Sequence, residues 1–199
     1  MYVGTQVAPR NISDLEAWSQ LGVNNICADP FEEDKNGNYK AINPHDWTAE
    51  ILERHIELLN KNGLTLDMVQ IPLSSMPLEK SQSPNIMLGK SPERDKEIDS
   101  IQNILSLCSK VGIPAVKYNM NIIGIPRSEQ EKGRGGSLNS TFRWEKMDKN
   151  AEPGIAGILD VDTNWERIDY FLDKIVPVAE ELKVRLACHP HDPYTPDGY

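Results

Sequence analysis

Short apolar runs alternate with longer segments of helical periodicity along this chain, and this order constrains the fold more than any other feature. The runs "MYVGTQV", "NNICADP", "LTLDMVQIP", "PAVKYNMN" and "VRLACHP" are typical of β-strands, because they are short, apolar and bounded by turn residues. Strands separated by helices pair in parallel through right-handed crossovers, and both faces of such a sheet are buried. The sequence therefore predicts an α/β protein with five parallel strands.

Four helices are predicted between these strands from apolar residues three and four positions apart. The second helix is predicted to begin at Asn43 and Pro44 and to end at Gly63. In the fourth, Asn164 is predicted to be the N-cap and Pro177 to cause a kink. The four segments are "SDLEAWSQLG", with Asn11 or Ser13 as its cap, "NPHDWTAEILERHIELLNKNG", "SPERDKEIDSIQNILSLCSKVG" and "NWERIDYFLDKIVPVAEELK".

The strict β-α order favours a (β/α)8 barrel over a dinucleotide-binding sheet, because no Gly-rich phosphate loop follows the first strand. A complete barrel takes about 250 residues, whereas this chain has 199. We therefore expect residues 1–199 to be the N-terminal part of a single TIM-barrel domain that contains the first five strands. Five strands cannot close a barrel, so the outer strands keep open edges that invite association, and we expect a homo-oligomer.

Composition excludes several classes of partner. Hydrophobic residues make up 39% of the chain and charged residues 26%, as in folded globular proteins. The net charge is -9 and the basic residues are scattered. The expected partner is therefore a small molecule, and not a nucleic acid or a membrane. The three cysteines, Cys27, Cys108 and Cys188, lie far apart in apolar runs, which indicates reduced thiols and a cytoplasmic location.

Polar residues stand at the end of every predicted strand. In (β/α)8 barrels the catalytic groups cluster at the carboxyl ends of the strands, so these residues are the candidates for a functional site. Amide, hydroxyl and carboxylate groups of this kind suit the binding of a polyol. The candidates are Thr5, Gln6, Asp29, Gln70, Tyr118, Asn119, Asn121, His189, His191 and Asp192.

His189 directly follows the last core strand, where a neutral imidazole can bind a divalent metal. The alternative is a histidine that is hydrogen-bonded to the backbone and binds no metal. His191 and Asp192 follow on a loop that Pro190 and Pro193 make stiff, although the same residues also suit an ordinary turn.

About forty residues with little periodicity, 122–163, separate the fourth strand from the fourth helix, and such long loops are often lids. We predict that residues 124–150 cover the mouth of the barrel, as a lid or as an interface arm, and are more mobile than the strands. Arg127 and Arg134 can meet a substrate carboxylate there, and "TFRWEKM" is predicted to form a short strand. The alternative is a solvated excursion with incidental arginines.

A second irregular segment, "DPFEEDKNGNYKAINPHDW", follows the second strand. The dipeptide Asn36-Gly37 predicts a tight turn and a small hairpin. We expect His45 to lie near the start of the next helix and to bind no metal.

At "VKYNMNIIGIPRS" and "IVPVAEELKVRLACHPHDP" the chain resembles the mannonate dehydratase family. The family has a Tyr-Asn pair at the end of its fourth strand, then a long insertion, then a fifth strand that ends in His-Pro-x-Asp-Pro. Tyr118 and Asn119 match the first motif, and the second is matched by His189, Pro190, Asp192 and Pro193. The resemblance implies a xylose-isomerase-like (β/α)8 barrel.

The resemblance also implies a metal-dependent lyase that dehydrates D-mannonate, a sugar acid, to 2-keto-3-deoxygluconate in hexuronate catabolism. The divalent metal is usually Mn²⁺, and His189 matches the ligand after the fifth strand. For this reaction, the chemistry of the strand-end residues predicts that Asn119 and Arg127 bind substrate hydroxyls or the carboxylate, and that His191 and Asp192 contact the substrate and orient the groups of the site. The family's other ligands and acid/base groups have no counterpart here, so we expect the 199-residue chain alone to be inactive.

Two departures from the family pattern leave the substrate open. His191 stands where the family commonly has Asp, and Tyr194 stands where it has a second Pro. One alternative is a sugar or sugar-phosphate isomerase or epimerase on the same barrel, and another is a truncated, non-catalytic sugar-binding relative. Xylose-isomerase-like epimerases tend to place a Glu ligand on central strands, and the absence of Glu from the predicted strand ends favours the dehydratase.

Overall fold

The protein is described by a computed structural model for residues 2–195. The strands within this range are β1 (Gly4–Thr5), β2 (Asn25–Cys27), β3 (Phe31–Glu33), β4 (Tyr39–Ala41), β5 (Thr65–Gln70), β6 (Ala115–Tyr118), β7 (Gln130–Lys132), β8 (Leu138–Ser140) and β9 (Arg185–Cys188). The α-helices are α1 (Ile12–Gln20), α2 (Ala49–Lys61), α3 (Pro84–Leu88), α4 (Glu93–Val111) and α5 (Val161–Leu182). No helix in this part of the chain is both long enough and apolar enough to cross a bilayer.

The five strands predicted from the sequence form one sheet in the order β1-β2-β5-β6-β9. Every neighbouring pair in this sheet is parallel. The register places Gln70 beside Lys117 and Lys117 beside Ala187, so these three side chains share one face of the sheet. The other four strands form two antiparallel hairpins, β3–β4 and β7–β8, outside the sheet.

Three helices begin at side-chain caps. Asn11, Thr48 and Asp160 accept a hydrogen bond from a backbone N–H of the first turn of α1, α2 and α5. The prediction of Asn11 is confirmed, whereas Asn164 is not a cap, because α5 begins earlier at the carboxylate of Asp160. Asn43 and Pro44 begin a separate 3-10 turn.

The helix α5 contains Pro177 and runs on to Leu182, close to the end of the predicted segment. The short helix α3 was not predicted, because five residues carry too little periodicity to be recognised. It begins at Pro84 and ends at Gly89, which has the left-handed conformation with φ 68°.

The helices cover one face of the sheet with a continuous apolar core. Tyr118 of β6 lies on this face, since its ring is 5.8 Å from the ring of Phe171 in α5. Val116, two positions earlier, is fully buried on the same face. The helices contribute fully buried side chains that include Leu15, Leu52, Leu59, Ile101, Leu105 and Ile175. Burial of this layer is the main stabilising term of the fold.

The other face carries no helix, and one long-range contact crosses it. The Lys117 Nζ of β6 donates a hydrogen bond of 3.2 Å to the Oε1 of Gln6, just after β1. β2 and β5 lie between these two strands, so the two side chains reach towards each other across this face. The α/β prediction of the first strands of a barrel, whose sheet curves with its helices outside and its other face concave, is confirmed.

His55 of α2 is buried behind the end of β2. Its Nε2 donates to the carbonyl oxygen of Ala28 at 3.3 Å, and its ring meets Phe31 edge-on with 4.8 Å between the centroids. The Nδ1 has no hydrogen-bond partner within the described residues. Burial disfavours the charged imidazolium and lowers the pKa of His55 from 6.5 to about 4, although the bond to Ala28 acts in the opposite direction.

We predict that His55 makes the fold sensitive to mild acid. Because its pKa is lower in the folded state, His55 contributes stability above pH 6.5, and this contribution is lost as the pH falls towards 4. Urea unfolding at pH 7, 5 and 4 should show that wild type loses up to about 3 kcal/mol more than His55→Gln. His45→Gln, at an exposed position, is the matched control and should follow wild type. Parallel losses in wild type and His55→Gln would contradict the prediction.

Candidate functional site

The carboxyl ends of the sheet strands bring the predicted polar residues to one edge. Alternation along the strands places Asn119 two residues after Lys117, and His189 two residues after Ala187, on the concave side. Asp29 follows β2 and is joined to the end of β5, because the Gln70 N–H donates to its Oδ1 at 2.7 Å. The candidates from the second to the fifth strand of the sheet therefore share one edge.

His189 is held in an orientation that suits a metal ligand. Its backbone N–H donates to the carbonyl of Tyr118 at 2.8 Å and extends the ladder between β6 and β9. The Nδ1 lies 3.0 Å from the carbonyl oxygen of Pro190. Since a carbonyl only accepts, Nδ1 carries the proton, and in the neutral ring the lone pair is left on Nε2. Within the described residues Nε2 has no hydrogen-bond partner.

Asn119 supports this loop from β6. Only 5% of Asn119 is exposed, and its Nδ2 donates to the carbonyl of His189 at 3.2 Å. Its backbone N–H donates to the carbonyl of Leu73 at 2.9 Å. The amide of Asn119 therefore positions the loop after β9 directly. Asn121 has a similar structural task, because its Nδ2 donates to the carbonyls of Met76 and Ile123.

Arg127 and Asp192 meet at the rim. The Nη2 of Arg127 is 3.4 Å from the Oδ2 of Asp192, and its Nε donates to the hydroxyl of Ser140 at 3.0 Å. Both charged side chains are well exposed, at 38% and 57%. His191 is half-buried, and its Nε2 lies inside the structure without a hydrogen-bond partner in the described range. Arg127 thus joins the long insertion to the loop that carries His189.

The insertion contains the hairpin β7–β8. The prediction of a strand at "TFRWEKM" is wrong. The hairpin turn lies earlier, at Gly135 and Gly136, whose φ values of 68° and 83° are left-handed, so the returning strand ends at Ser140. Trp144–Lys146 is a 3-10 turn instead, and Arg143 pairs with Glu131 of β7 at 2.8 Å. Arg134 lies in the exposed hairpin turn.

The hairpin predicted after the second strand is confirmed as β3–β4, with Gly37 in its turn at φ 81°. Phe31 and Tyr39 stack across it with 4.1 Å between the ring centroids. His45 is exposed in the 3-10 turn that follows, and its Nδ1 is 3.1 Å from the hydroxyl of Ser100.

A cavity of about 180 Å³ lies between the sheet edge and the hairpin β3–β4. Its polar lining consists of Gln6, Cys27, Asp29, Gln70 and Lys117. A neighbouring cavity of about 360 Å³ shares Asp29 and Gln70 with it. Lys117 was not predicted, because it lies inside β6, one residue before the end of the strand. A lysine between apolar residues in "PAVKYN" is the signal that could have identified it.

Asp29 is the ionisable group that these surroundings perturb most within the cavity. Burial raises the pKa of Asp29 from 3.8 to about 6, against the opposing effects of the Gln70 N–H and the charge of Lys117. No lysine or arginine of the described chain lies within ion-pair distance of its carboxylate. Perturbed carboxyl groups in clefts are typical of functional sites.

A complete metal site needs several protein ligands, and His189 fits as one of them. Residues 2–195 contain no cluster of three or more His, Cys, Asp or Glu side chains that could hold a metal ion. The free Nε2 of His189 is a suitable donor, and its Nδ1–H is fixed by a carbonyl, as is common for ligating histidines. Any metal bound here would require additional ligands.

We predict that the contact between Arg127 and Asp192 orders the rim without stabilising the whole fold. Exposed ion pairs contribute about 1 kcal/mol or less, so Asp192→Asn should leave the free energy of unfolding within about 1 kcal/mol of wild type. Hydrogen exchange should become faster at residues 126–141 and 189–195. Asp148→Asn, on an exposed part of the insertion, is the control. Unchanged exchange in both segments would contradict the prediction.

Comparison with known proteins identifies the family that this chain resembles. The model of the family described as D-mannonate dehydratase (UxuA) matches residues 156–197, which include the loop with His189. A mannonate dehydratase from Streptococcus uberis is 30% identical over 172 residues, which cover 74% of this chain and 47% of the relative. Mannonate dehydratase 2 from Halalkalibacterium halodurans is 28% identical over 171 residues, with the same coverage.

The crystal structure of mannonate dehydratase from Streptococcus suis serotype 2 superposes with a TM-score of 0.77 at 23% identity, covering all of this chain and 56% of that one. At this identity the match supports the fold alone. The chain spans about half the length of the curated relatives that it matches. The resemblance seen in the sequence is confirmed: this chain is related to the N-terminal portion of the mannonate dehydratases.

Proposed function

We propose that the whole protein is a metal-dependent sugar acid dehydratase that converts D-mannonate to 2-keto-3-deoxygluconate in hexuronate catabolism. The observation that carries the proposal is the coincidence of the family match at residues 156–197 with the geometry of His189. This histidine lies at the carboxyl edge of the sheet with its Nε2 free, which is where a barrel enzyme places a metal ligand.

The reaction suits the groups at this edge. Removal of the proton next to the carboxylate builds negative charge on that carboxylate, and general acid catalysis then assists departure of the neighbouring hydroxyl. A divalent metal, for which Mn²⁺ is our choice, would supply Lewis-acid stabilisation of that charge when bound. His189 would hold it together with ligands that the described residues do not contain.

The chain's own residues orient this site. Asn119 fixes the backbone of His189, and Pro190 fixes its ring, so the free Nε2 has a defined direction. Arg127 offers a guanidinium at the rim, where it can exchange its weak contact with Asp192 for a substrate carboxylate or hydroxyl. We propose His191 and Asp192 as further contacts with substrate.

An isomerase or epimerase on the same barrel is the alternative, and the strand ends argue against it. No Glu ends a strand of the five-stranded sheet in the described structure. A truncated, non-catalytic sugar-binding relative would need neither a metal nor the free Nε2 of His189. The cytoplasmic location and the homo-oligomer remain predictions from composition and from the outer sheet strands.

The decisive experiment measures bound manganese and activity in the purified whole protein. His189→Ala should lose metal and formation of the 2-keto acid from D-mannonate, because one of about four protein ligands is missing. His45→Ala, at an exposed histidine that contacts Ser100, is the control and should keep both.

Each outcome separates the alternatives. Full manganese occupancy in His189→Ala would contradict the role of this histidine. A metal-loaded wild-type protein that converts D-mannonate only to an epimer would favour the alternative enzyme class. A wild-type protein that binds sugar acids but neither binds metal nor turns them over would favour the non-catalytic relative.

A further inference from the structure

Two charged side chains in the cavity beneath the hairpin β3–β4 have no assigned role in the proposed dehydration. Lys117 enters from β6 and Asp29 from the end of β2. Both side chains are partly exposed, and the hydrogen bond that Lys117 makes is open to solvent. Their presence in one cavity at the carboxyl edge of the sheet places two charges where a ligand can reach them.

Lys117 has unused donors. Its Nζ donates to the Oε1 of Gln6 at 3.2 Å, which satisfies one of its three N–H groups. No carboxylate of residues 2–195 lies within ion-pair distance of this ammonium. The bond to Gln6 holds the side chain across the concave face, so its remaining donors are presented to the cavity.

Asp29 has an unused acceptor. Its Oδ1 is occupied by the backbone N–H of Gln70 at 2.7 Å, whereas the Oδ2 has no hydrogen bond within the described structure. Lys117 acts on Asp29 only through its charge, without direct contact. The cavity thus holds a donor and an acceptor that are fixed by other groups and do not satisfy each other.

The opposite wall of the cavity is apolar. Phe31 and Tyr39 contribute their stacked rings, and Ala41 lies beside them on β4. A hydroxylated carbon chain has complementary surfaces, because its hydroxyl groups both donate and accept while its C–H groups pack against apolar rings. A second anionic group suits the cavity less well, since the Asp29 carboxylate would repel it.

We propose that this cavity is the subsite for the hydroxylated carbon chain of the substrate, in which Lys117 donates to hydroxyl oxygens and Asp29 accepts from hydroxyl groups. The inference rests on the proposed function, which places the carboxylate end of the substrate at His189. β6 is the direct neighbour of β9, and Lys117 is in register with Ala187, two residues before His189. Adjacent strands are about 4.8 Å apart, so a six-carbon chain can extend from one site towards the other.

The test compares substrates of two lengths in the whole, metal-loaded protein. D-Mannonate has six carbons, and D-erythronate keeps the carboxylate end but has only four. Lys117→Gln should weaken binding of D-mannonate at least about tenfold, because a hydrogen bond to a charged group is lost. It should weaken binding of D-erythronate less than about twofold. Lys110→Gln, at an exposed lysine of α4, should change neither dissociation constant.

Asp29→Asn should likewise lose more affinity for D-mannonate than for D-erythronate. The asparagine keeps an acceptor for the Gln70 N–H. Its thermal stability at pH 8 should equal or exceed that of wild type, since burial makes the ionised carboxylate costly above its raised pKa. A purely structural role of Asp29 would instead predict lower thermal stability and an equal loss of affinity for both ligands. Manganese content should stay at the wild-type level in both variants.

If Lys117→Gln lost affinity equally for both acids, or lost no affinity for either, the proposal would be overturned. If the wild-type protein fails to dehydrate D-mannonate, the proposed function fails, and the subsite is then tested by thermal stabilisation with D-mannitol. Stabilisation that persists in Lys110→Gln and disappears in Lys117→Gln would support a polyol subsite. The absence of stabilisation in wild type would contradict it.

Discussion

The packing of helices against only one face of a parallel sheet governs the rest of this structure. Val116 and Tyr118 of β6 bury themselves against α5 and its neighbours, so the intervening Lys117 must lie on the opposite face. The curvature of the sheet turns that face into a concave surface, on which Lys117 reaches Gln6 across two intervening strands. Apolar burial on the outside thereby determines which polar groups can meet on the inside.

The loop after β9 owes its shape to backbone pairing more than to its own side chains. The ladder between β6 and β9 continues one residue further, through the N–H of His189 and the carbonyl of Tyr118. Asn119 adds a second hydrogen bond to the same residue. The family motif therefore makes physical sense: Tyr118 and Asn119 hold the backbone, and the histidine that they hold keeps a free ring nitrogen.

The sequence predicted the order of strands and helices well, since strands packed under helices leave short apolar runs, and the helices leave amphipathic segments between them. It also predicted that Asp29, Gln70, Asn119 and His189 would share one edge. It missed Lys117, which lies inside β6 and not after its end, and the contact of Lys117 with Gln6 depends on long-range packing that local pattern does not contain. The strand expected at "TFRWEKM" failed because Gly135 and Gly136 place the turn earlier.

Two ionisable groups near the end of β2, the buried His55 and the half-buried Asp29, have opposite consequences for the fold. His55 donates to Ala28 and is held neutral by burial, which contributes to stability at neutral pH. Asp29, the residue after Ala28 in the chain, is ionised at neutral pH at a cost in stability, because burial raises its pKa to about 6. The carboxylate of Asp29 lines the same cavity as Lys117 and the rings of Phe31 and Tyr39. A cavity with fixed polar groups and an apolar wall suits a ligand.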